Sequence, residues 1–271
     1  MKPLFNIRNH YKPIQPTAMQ SAQNAVYTEM LPAEKLLPFI YCYWTLKTTS
    51  QLAENYSYRV ISDGCIDIFF PLENPDESYV MGFCKSYTEF DLGKQFNYIG
   101  IRFLPTIFPL IFGQNAKELS NTDVRLSLVL SDLSRIISHK INELQSLQEI
   151  KNQLDSIFIK HLQKTDFQID SRFYNALEII LKRQGNILIT NDLDTGLSPR
   201  HLRRLFEFYI GDTAKTFSQV VRFQSVLTAK KYSQNTDNQL FYDIDYYDQS
   251  HFIKEFKTFY GVTPREAFLN N

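Results

Sequence analysis

The sequence predicts an α+β chain of two domains: an amino-terminal β-barrel or sandwich with helices packed on it, then an all-helical carboxy-terminal domain. Three observations lead there. Between residues 25 and 112, runs rich in aromatic and β-branched residues (FIYCYWTLK, YSYRVIS, CIDIFFPL, SYVMGFC, FNYIGIRFL) are punctuated by Asp63-Gly64, Asn74-Pro75 and Leu92-Gly93. That is the pattern of short strands in a sandwich or small barrel. From residue 116 onward the apolar residues recur instead at three- and four-residue steps, the period of helices that bury one face. A polar stretch from Lys160 to Asp170 divides the second region in a chain of 271 residues, long enough for two cores.

Residues 1–24 carry three prolines, several Asn and Gln and no apolar period, as suits a flexible leader or an arm laid over the first domain. Within residues 25–112, Glu54, Arg59, Asp63, Asp67 and Arg102 are the charges in or beside strands. A charge on a strand ordinarily faces solvent. The competing reading is a lined pocket, with Arg59, Asp63, Asp67 and Arg102 as effector-binding residues. Residues 116–165 follow as helices, with one apolar stripe from Leu126 through Leu133, Ile137 and Ile141 to Leu144, and a second from Leu147 to Leu162. Neither sustains the clean heptads of a coiled coil, so they pack on the barrel or form a homodimer interface.

Composition excludes several classes. The 29 basic and 29 acidic side chains balance, and dividing the chain at Asp170 changes little. Residues 171–271 hold 13 basic against 11 acidic (+2), and residues 1–170 hold 16 against 18 (−2). Contact with a polyanion must therefore come from local clusters. Cys42, Cys65 and Cys84 are odd in number and lie in apolar surroundings, which reads as buried reduced thiols. No stretch approaches the roughly 18 apolar residues of a membrane span, and the start lacks the apolar core of a signal peptide. A soluble, cytoplasmic protein is expected. Residues 25–120 contain no histidine, and the chain has no Gly-x-Ser-x-Gly motif. Neither a metal centre nor a nucleophilic triad is expected, hence no catalytic residue, no metal, no cofactor and no enzyme.

The carboxy-terminal domain, residues 170–271, opens with a helix over Phe173–Arg183 stopped by Gly185. After the turn at Gly196, Ser198 is suited to cap a helix and Pro199 fits its first position. In that helix Leu202, Leu205, Phe206 and Tyr209 face inward, while Arg200, His201, Arg203 and Arg204 stay outside. A solvated face seldom gathers so many donors without an acid beside them, so this cluster points to phosphate or base contact. Residues 213–234 then read as one long helix. Tyr246–Pro264 (YYDQSHFIKEFKTFYGVTP) is a bounded amphipathic helix, with Asp248 placed to cap it, Gly261 past its end, and Phe252, Ile253, Phe256, Phe259 and Tyr260 as its apolar stripe. Between them lie Gln249, Ser250, His251, Lys254 and Lys257, able to donate to phosphates or base edges. FEFYIGDTA and FKTFYGVTP match, marking a two-copy repeat. A connecting helix of about 22 residues is about 33 Å long, close to the roughly 34 Å between successive major grooves on one face of B-DNA.

These residues resemble a known family. YYDQSHF, then FK, then GVTP, is similar to the second helix-turn-helix of the AraC/XylS transcriptional regulators, and the likeness covers Phe173–Leu269. It implies a sequence-specific DNA-binding regulator, with Arg200, His201, Arg203 and Arg204, and Gln249, Ser250, His251 and Lys254, in recognition-helix positions. Two departures stand out: Asp192 and Phe241 where a small residue usually sits at the helix crossing, and Asp245 where the second turn usually has Gly. RVISDGCIDIFF followed by GIRF resembles the cupin-like amino-terminal domain of some such regulators, although Leu104-Pro105-Thr106 stands where Pro-Gly-Gly is usual. The likeness implies that residues 25–165 form an effector-binding or dimerisation domain. The implied partners are double-stranded DNA, a small-molecule effector and RNA polymerase, with no membrane, in a monomer or homodimer. The competing reading is a ligand- or protein-binding module whose helix-turn-helix repeat no longer grips DNA tightly.

Overall fold

Alternation along the strands separates two faces of one sheet, and this builds the amino-terminal domain. In the computed structural model, which describes residues 6–16, 24–167, 170–232 and 249–269, the strands are β1 (Ala25–Met30), β2 (Ile40–Thr48), β3 (Ser57–Val60), β4 (Ile66–Pro71), β5 (Tyr79–Met81), β6 (Thr88–Asp91), β7 (Asn97–Phe103) and β8 (Asp123–Arg125). Six pair antiparallel in the order β1-β2-β7-β4-β5-β8, while β3 and β6 form a separate ribbon. Successive side chains point to opposite faces. One face therefore carries Ile68, Phe70, Val80, Ile99 and Ile101, buried in a common cluster with Leu133, Ile137, Leu154 and Phe158. On the other face lie Trp44, Asp67, Phe69, Tyr79, Tyr98 and Arg102, and the ribbon covers it with Tyr58 and Phe90. Gly100 makes room there: a Cβ on it would stand 1.9 Å from Trp44 Cε2.

The five quoted aromatic runs all contain strands. The supposed all-helical stretch from residue 116 does not hold throughout, because β8 interrupts it and pairs with β5, Val80 opposite Val124. Its helices are α1 (Ile107–Phe112), α2 (Ala116–Leu119), α3 (Leu126–Val129), α4 (Ser131–Lys140) and α5 (Leu147–Lys164). Leu144 leaves the predicted stripe altogether; it lies between α4 and α5 and is 92% exposed. Helix α5 opens with a capping box, Ser146 with Glu149, and it runs into the expected linker as far as Lys164. At Leu104-Pro105-Thr106, where the resemblance led to an expected Pro-Gly-Gly, Thr106 adopts φ 74°. A β-branched residue in the left-handed region is strained. Its hydroxyl, 2.9 Å from Tyr174 Oη, ties it to the next domain.

The helical domain follows as α6 (Ser171–Lys182), α7 (Ile189–Asp192), α8 (Pro199–Tyr209), α9 (Ala214–Tyr232), α10 (Gln249–Tyr260) and α11 (Pro264–Leu269). Phe241, Asp245 and the capping Asp248 lie outside the described residues. The core does not stop at the domain boundary: Phe173, Phe206, Phe217 and Phe223 belong to the same buried cluster as Ile61 and Phe83. The amino-terminal segment reinforces the joint. Tyr11 donates to Asp63 O at 2.7 Å, Gln15 exchanges hydrogen bonds with Ile61 at 2.8 and 3.0 Å, and Ile14 N–H donates to Gln224 of α9 at 2.9 Å. Residues 7–15 are thus an arm wedged between the domains.

Candidate nucleic-acid interface and effector pocket

The first helix-turn-helix unit is set by local chemistry. Gly196 takes φ 76° in the turn, a backbone that only glycine adopts without strain, and the Ser198 hydroxyl then accepts from His201 N–H at the start of α8. Leu202 and Phe206 are buried, leaving Arg200, Arg203 and Arg204 exposed and His201 half-buried. Asp192, where a small residue was expected, is accommodated at the end of α7. Its carboxylate accepts from Leu188 N–H at 2.7 Å and pairs with Arg183 at 2.7 Å, and these bonds hold it below the usual carboxylate range. The expectation that no acid stands beside the arginine cluster is corrected. Glu207, one turn along α8, lies 3.0 Å from Arg203 Nε, and Lys117 of α2 holds it from the other side at 2.9 Å. Exposed i,i+4 pairs of this kind contribute only a few tenths of a kcal/mol, so Arg203 remains able to turn to a phosphate.

In the second unit, α10 exposes Gln249, Ser250, His251, Lys254 and Lys257 and buries Phe252, Phe256, Phe259 and Tyr260. Ile253, read from the sequence as part of the buried stripe, is 37% exposed and sits on the outer face one turn after Gln249. A single aliphatic side chain there suits contact with a thymine methyl. Sequence reasoning missed Glu255. It is 7% exposed and accepts from Gln219 at 2.9 Å and from Arg222 at 2.8 Å, both on α9. Its flanking residues Lys254 and Phe256 mask it in the helical pattern, since only the fold brings α9 against it.

Both recognition helices are held by their carboxy-terminal ends. Gly211, at φ 107°, is so close to the β domain that a Cβ would lie 2.4 Å from Ser120 Oγ, and Ser120 donates to Gly211 O at 2.7 Å. Asp212 pairs with Lys85 at 3.1 Å. At the equivalent place after α10, Gly261 takes φ 97° against the Arg59 guanidinium, Ser62 N–H donates to Phe259 O at 3.3 Å, and Tyr87 N–H donates to Thr258 O at 3.2 Å. The sequence repeat therefore returns as a repeated docking mode. The amino-terminal turns, which in helix-turn-helix proteins meet base edges, carry exposed side chains: Arg200 on α8, and Gln249, Ser250 and His251 on α10.

Under the ribbon lies a cavity of about 240 Å³. Its floor is Arg102, 2% exposed, which donates through Nε and Nη2 to Asp67 at 3.2 and 3.0 Å and stands 3.3 Å from Asp63. Trp44 Nε1 donates to Asp67 at 2.9 Å. Burial pushes the Asp67 carboxyl up to about 6 against the pull of Arg102. Burial also works against the Arg102 charge, yet its carboxylate neighbours hold it well above its ordinary value. Of the four residues proposed for a pocket, Asp67 and Arg102 line this one. Asp63 sits behind them, tied to Gln15 at 2.9 Å and to Cys65 N–H at 3.0 Å. Arg59 is corrected: alternation on β3 turns it away from Tyr58 and Val60, toward Glu89 at 2.8 Å and Tyr260 O at 3.5 Å. Burial raises all three thiols, that of Cys84 to about 11. They are protonated near neutral pH and poorly nucleophilic.

Residues 28–125 match the model of a family described as a domain of unknown function, DUF6597. Residues 194–269 match that of a helix-turn-helix domain. The carboxy-terminal unit is an AraC-type helix-turn-helix domain. No curated protein matches the chain in sequence. Among solved structures, an apo variant of ToxT from Vibrio cholerae strain SCE256 is 14% identical with a TM-score of 0.46, covering 84% of this chain and 98% of that one. ToxT from Vibrio cholerae O395 is 13% identical with a TM-score of 0.42, over 84% and 97%. A ToxT structure with bound unsaturated fatty acid is 12% identical with a TM-score of 0.37, over 91% and 95%. Scores this low carry no statement about a ligand of this chain. Among the described residues no helix is long and apolar enough to cross a membrane.

Proposed function

We propose that the chain is a transcription regulator that grips double-stranded DNA through α8 and α10 and responds to a small molecule held in its β domain. The observation that carries this reading is a feature the two repeats share: each recognition helix is docked on the β domain at its carboxy-terminal end and carries exposed polar side chains over its amino-terminal turns. Arg200, Arg203, Arg204, Lys254 and Lys257 position the duplex through phosphates. His201, Gln249, Ser250 and His251, with Ile253, read base edges, each good bidentate pair discriminating by about 1 to 3 kcal/mol. The 19 residues of α9 span about 28 Å at 1.5 Å per residue, in keeping with successive grooves. No bond is made or broken.

The response follows from the ribbon's two faces. Tyr58, Val60 and Phe90 line the cavity, while Arg59 and the adjoining Ser62 and Tyr87 touch the end of α10. A ligand that lifts or seats the ribbon thereby moves the second recognition helix. The DNA reading is tested by titrating a duplex with the native chain and an Arg203→Ala/Arg204→Ala variant over a range of salt. Loss of two phosphate contacts flattens the log–log slope by about 1.8. An unchanged slope and affinity would remove the first unit from the interface.

A further inference from the structure

The aromatic cavity has a charge balance that selects among ligands. Its walls include six rings, those of Trp44, Tyr58, Phe69, Tyr79, Phe90 and Tyr98. Phe69 is central, with its centroid 6.4 Å from Trp44, 5.7 Å from Tyr79, 6.3 Å from Phe90 and 6.4 Å from Tyr98. Ring faces attract cations. Asp67 forms the floor, and Asp91 and Asp123, both exposed, add two more carboxylates to the lining. Arg102 is the one cation among the described lining residues, and it is already committed: two of its nitrogens bond Asp67, and Nη1, which makes no hydrogen bond, faces Glu29 across 4.0 Å. Arg125 lies over the Tyr79 ring at 5.6 Å and is not in the lining.

A carboxylate ligand entering here finds one nitrogen of Arg102 unbonded, the buried Nη1 beside Glu29; to take either of the other two it must draw Arg102 away from Asp67, leaving that carboxylate buried without its partner. An ammonium group meets the opposite situation, with ring faces around it and unneutralised carboxylates within the same cavity. Size narrows the class further. A cavity of about 150 Å³ holds benzene, so about 240 Å³ holds one ring with a short side chain. We infer that the β-domain cavity binds a small arylalkyl amine, its ring among Trp44, Phe69 and Tyr98 and its ammonium directed to the aspartates. This rests on the effector reading above and gives it a chemical class.

Trp44 is the chain's single tryptophan and lines this cavity, so its emission comes from this site. Titration of the full chain with phenylpropylamine, phenylpropanol and phenylbutyrate compares three probes that share a phenyl ring and a three-carbon arm. The amine should give a saturable change with a Kd about tenfold or more below that of the acid. Asp91→Asn/Asp123→Asn, at exposed positions, should shrink that preference, and Asp67→Asn should remove it. Acid binding as tight as amine binding overturns the amine class, as does the absence of a saturable response to any probe. If the amine binds while duplex affinity measured in the same samples stays constant, the amine class stands and the coupling to DNA falls.

Discussion

Replacing Gln224 by Leu should uncouple the melting of two domains that share one buried core. Gln224 is 1% exposed and reaches from α9 into the β domain, donating to Ser62 O at 2.8 Å and Ile14 O at 3.3 Å while accepting from Ile14 N–H at 2.9 Å. Leucine keeps most of the volume and removes all three bonds. A buried polar group left without a partner costs about 1 to 3 kcal/mol. Ser62 O is fully enclosed and Ile14 is half-buried, so water recovers part of the second loss and the total comes to about 2 to 4 kcal/mol. For a cooperative unit of this size that lowers Tm by roughly 4 to 16 °C. Two probes expose the uncoupling. Trp44 emission reports the β domain alone, and far-UV circular dichroism adds the helices of the carboxy-terminal domain to α1–α5 of the β domain. In the native chain the two melting curves should coincide, and in Gln224→Leu the part of the helical signal that comes from α6–α11 should be lost before Trp44 emission changes. Coincident curves with Tm within about 1 °C of the native value would refute the claim that this amide joins the domains.

Three further outcomes are expected. Glu255→Ala strips Arg222 and Gln219 of their acceptor between α9 and α10; because Arg222 keeps 19% exposure, the loss is about 2 to 3 kcal/mol, at or below the buried-pair range. Duplex affinity should fall although Glu255 faces no DNA, and Glu255→Gln should restore part of it; equal affinity for all three proteins contradicts its positioning role. Asp170 caps α6 and is held down to about 2, chiefly by its hydrogen bond from Arg172. Its folded value lies below the unfolded one, so its contribution is present above pH about 4 and lost toward pH about 2. Asp170→Ala should cost about 1 kcal/mol at neutral pH and nothing once the carboxyl is protonated, as equilibrium unfolding at the two pH values will show. Finally, protonation of Asp67 removes a carboxylate from the cavity, so amine binding followed by Trp44 emission should weaken as pH falls through about 6; tightening over that range would contradict the pairing.

Much of the helical domain was legible because its signals are local. Ser198 and Pro199 open α8 within two residues of each other, and Gly196, Gly211 and Gly261 each mark a backbone that bends to positive φ. The strands were legible as aromatic runs for the same reason. What the sequence could not yield is set by partners distant in the chain. Arg102 and Asp67 look like solvent-facing strand charges until β4 and β7 are placed in register, 35 residues apart. Arg59 reads as their equal, yet its neighbour is Tyr260, and only the ribbon's separation from the main sheet turns it outward. Strand β8 is three residues long, with Val124 as its single apolar residue, too little alternation to stand out beside the Leu-rich run that follows. The docking of both recognition helices on the β domain has no local signature at all, although the glycines that permit it were visible as stops.

The central claim is that two helices of one chain meet successive major grooves on one face of a duplex. Its most direct test is a hydroxyl-radical and base-methylation footprint on sequences selected by the full chain from a random duplex pool. The account predicts two protected patches about 10 base pairs apart on the same face, the one assigned to α8 fading in Arg203→Ala/Arg204→Ala and the other in Lys254→Ala. A single patch, two patches on opposite faces, or no enriched sequence would contradict it.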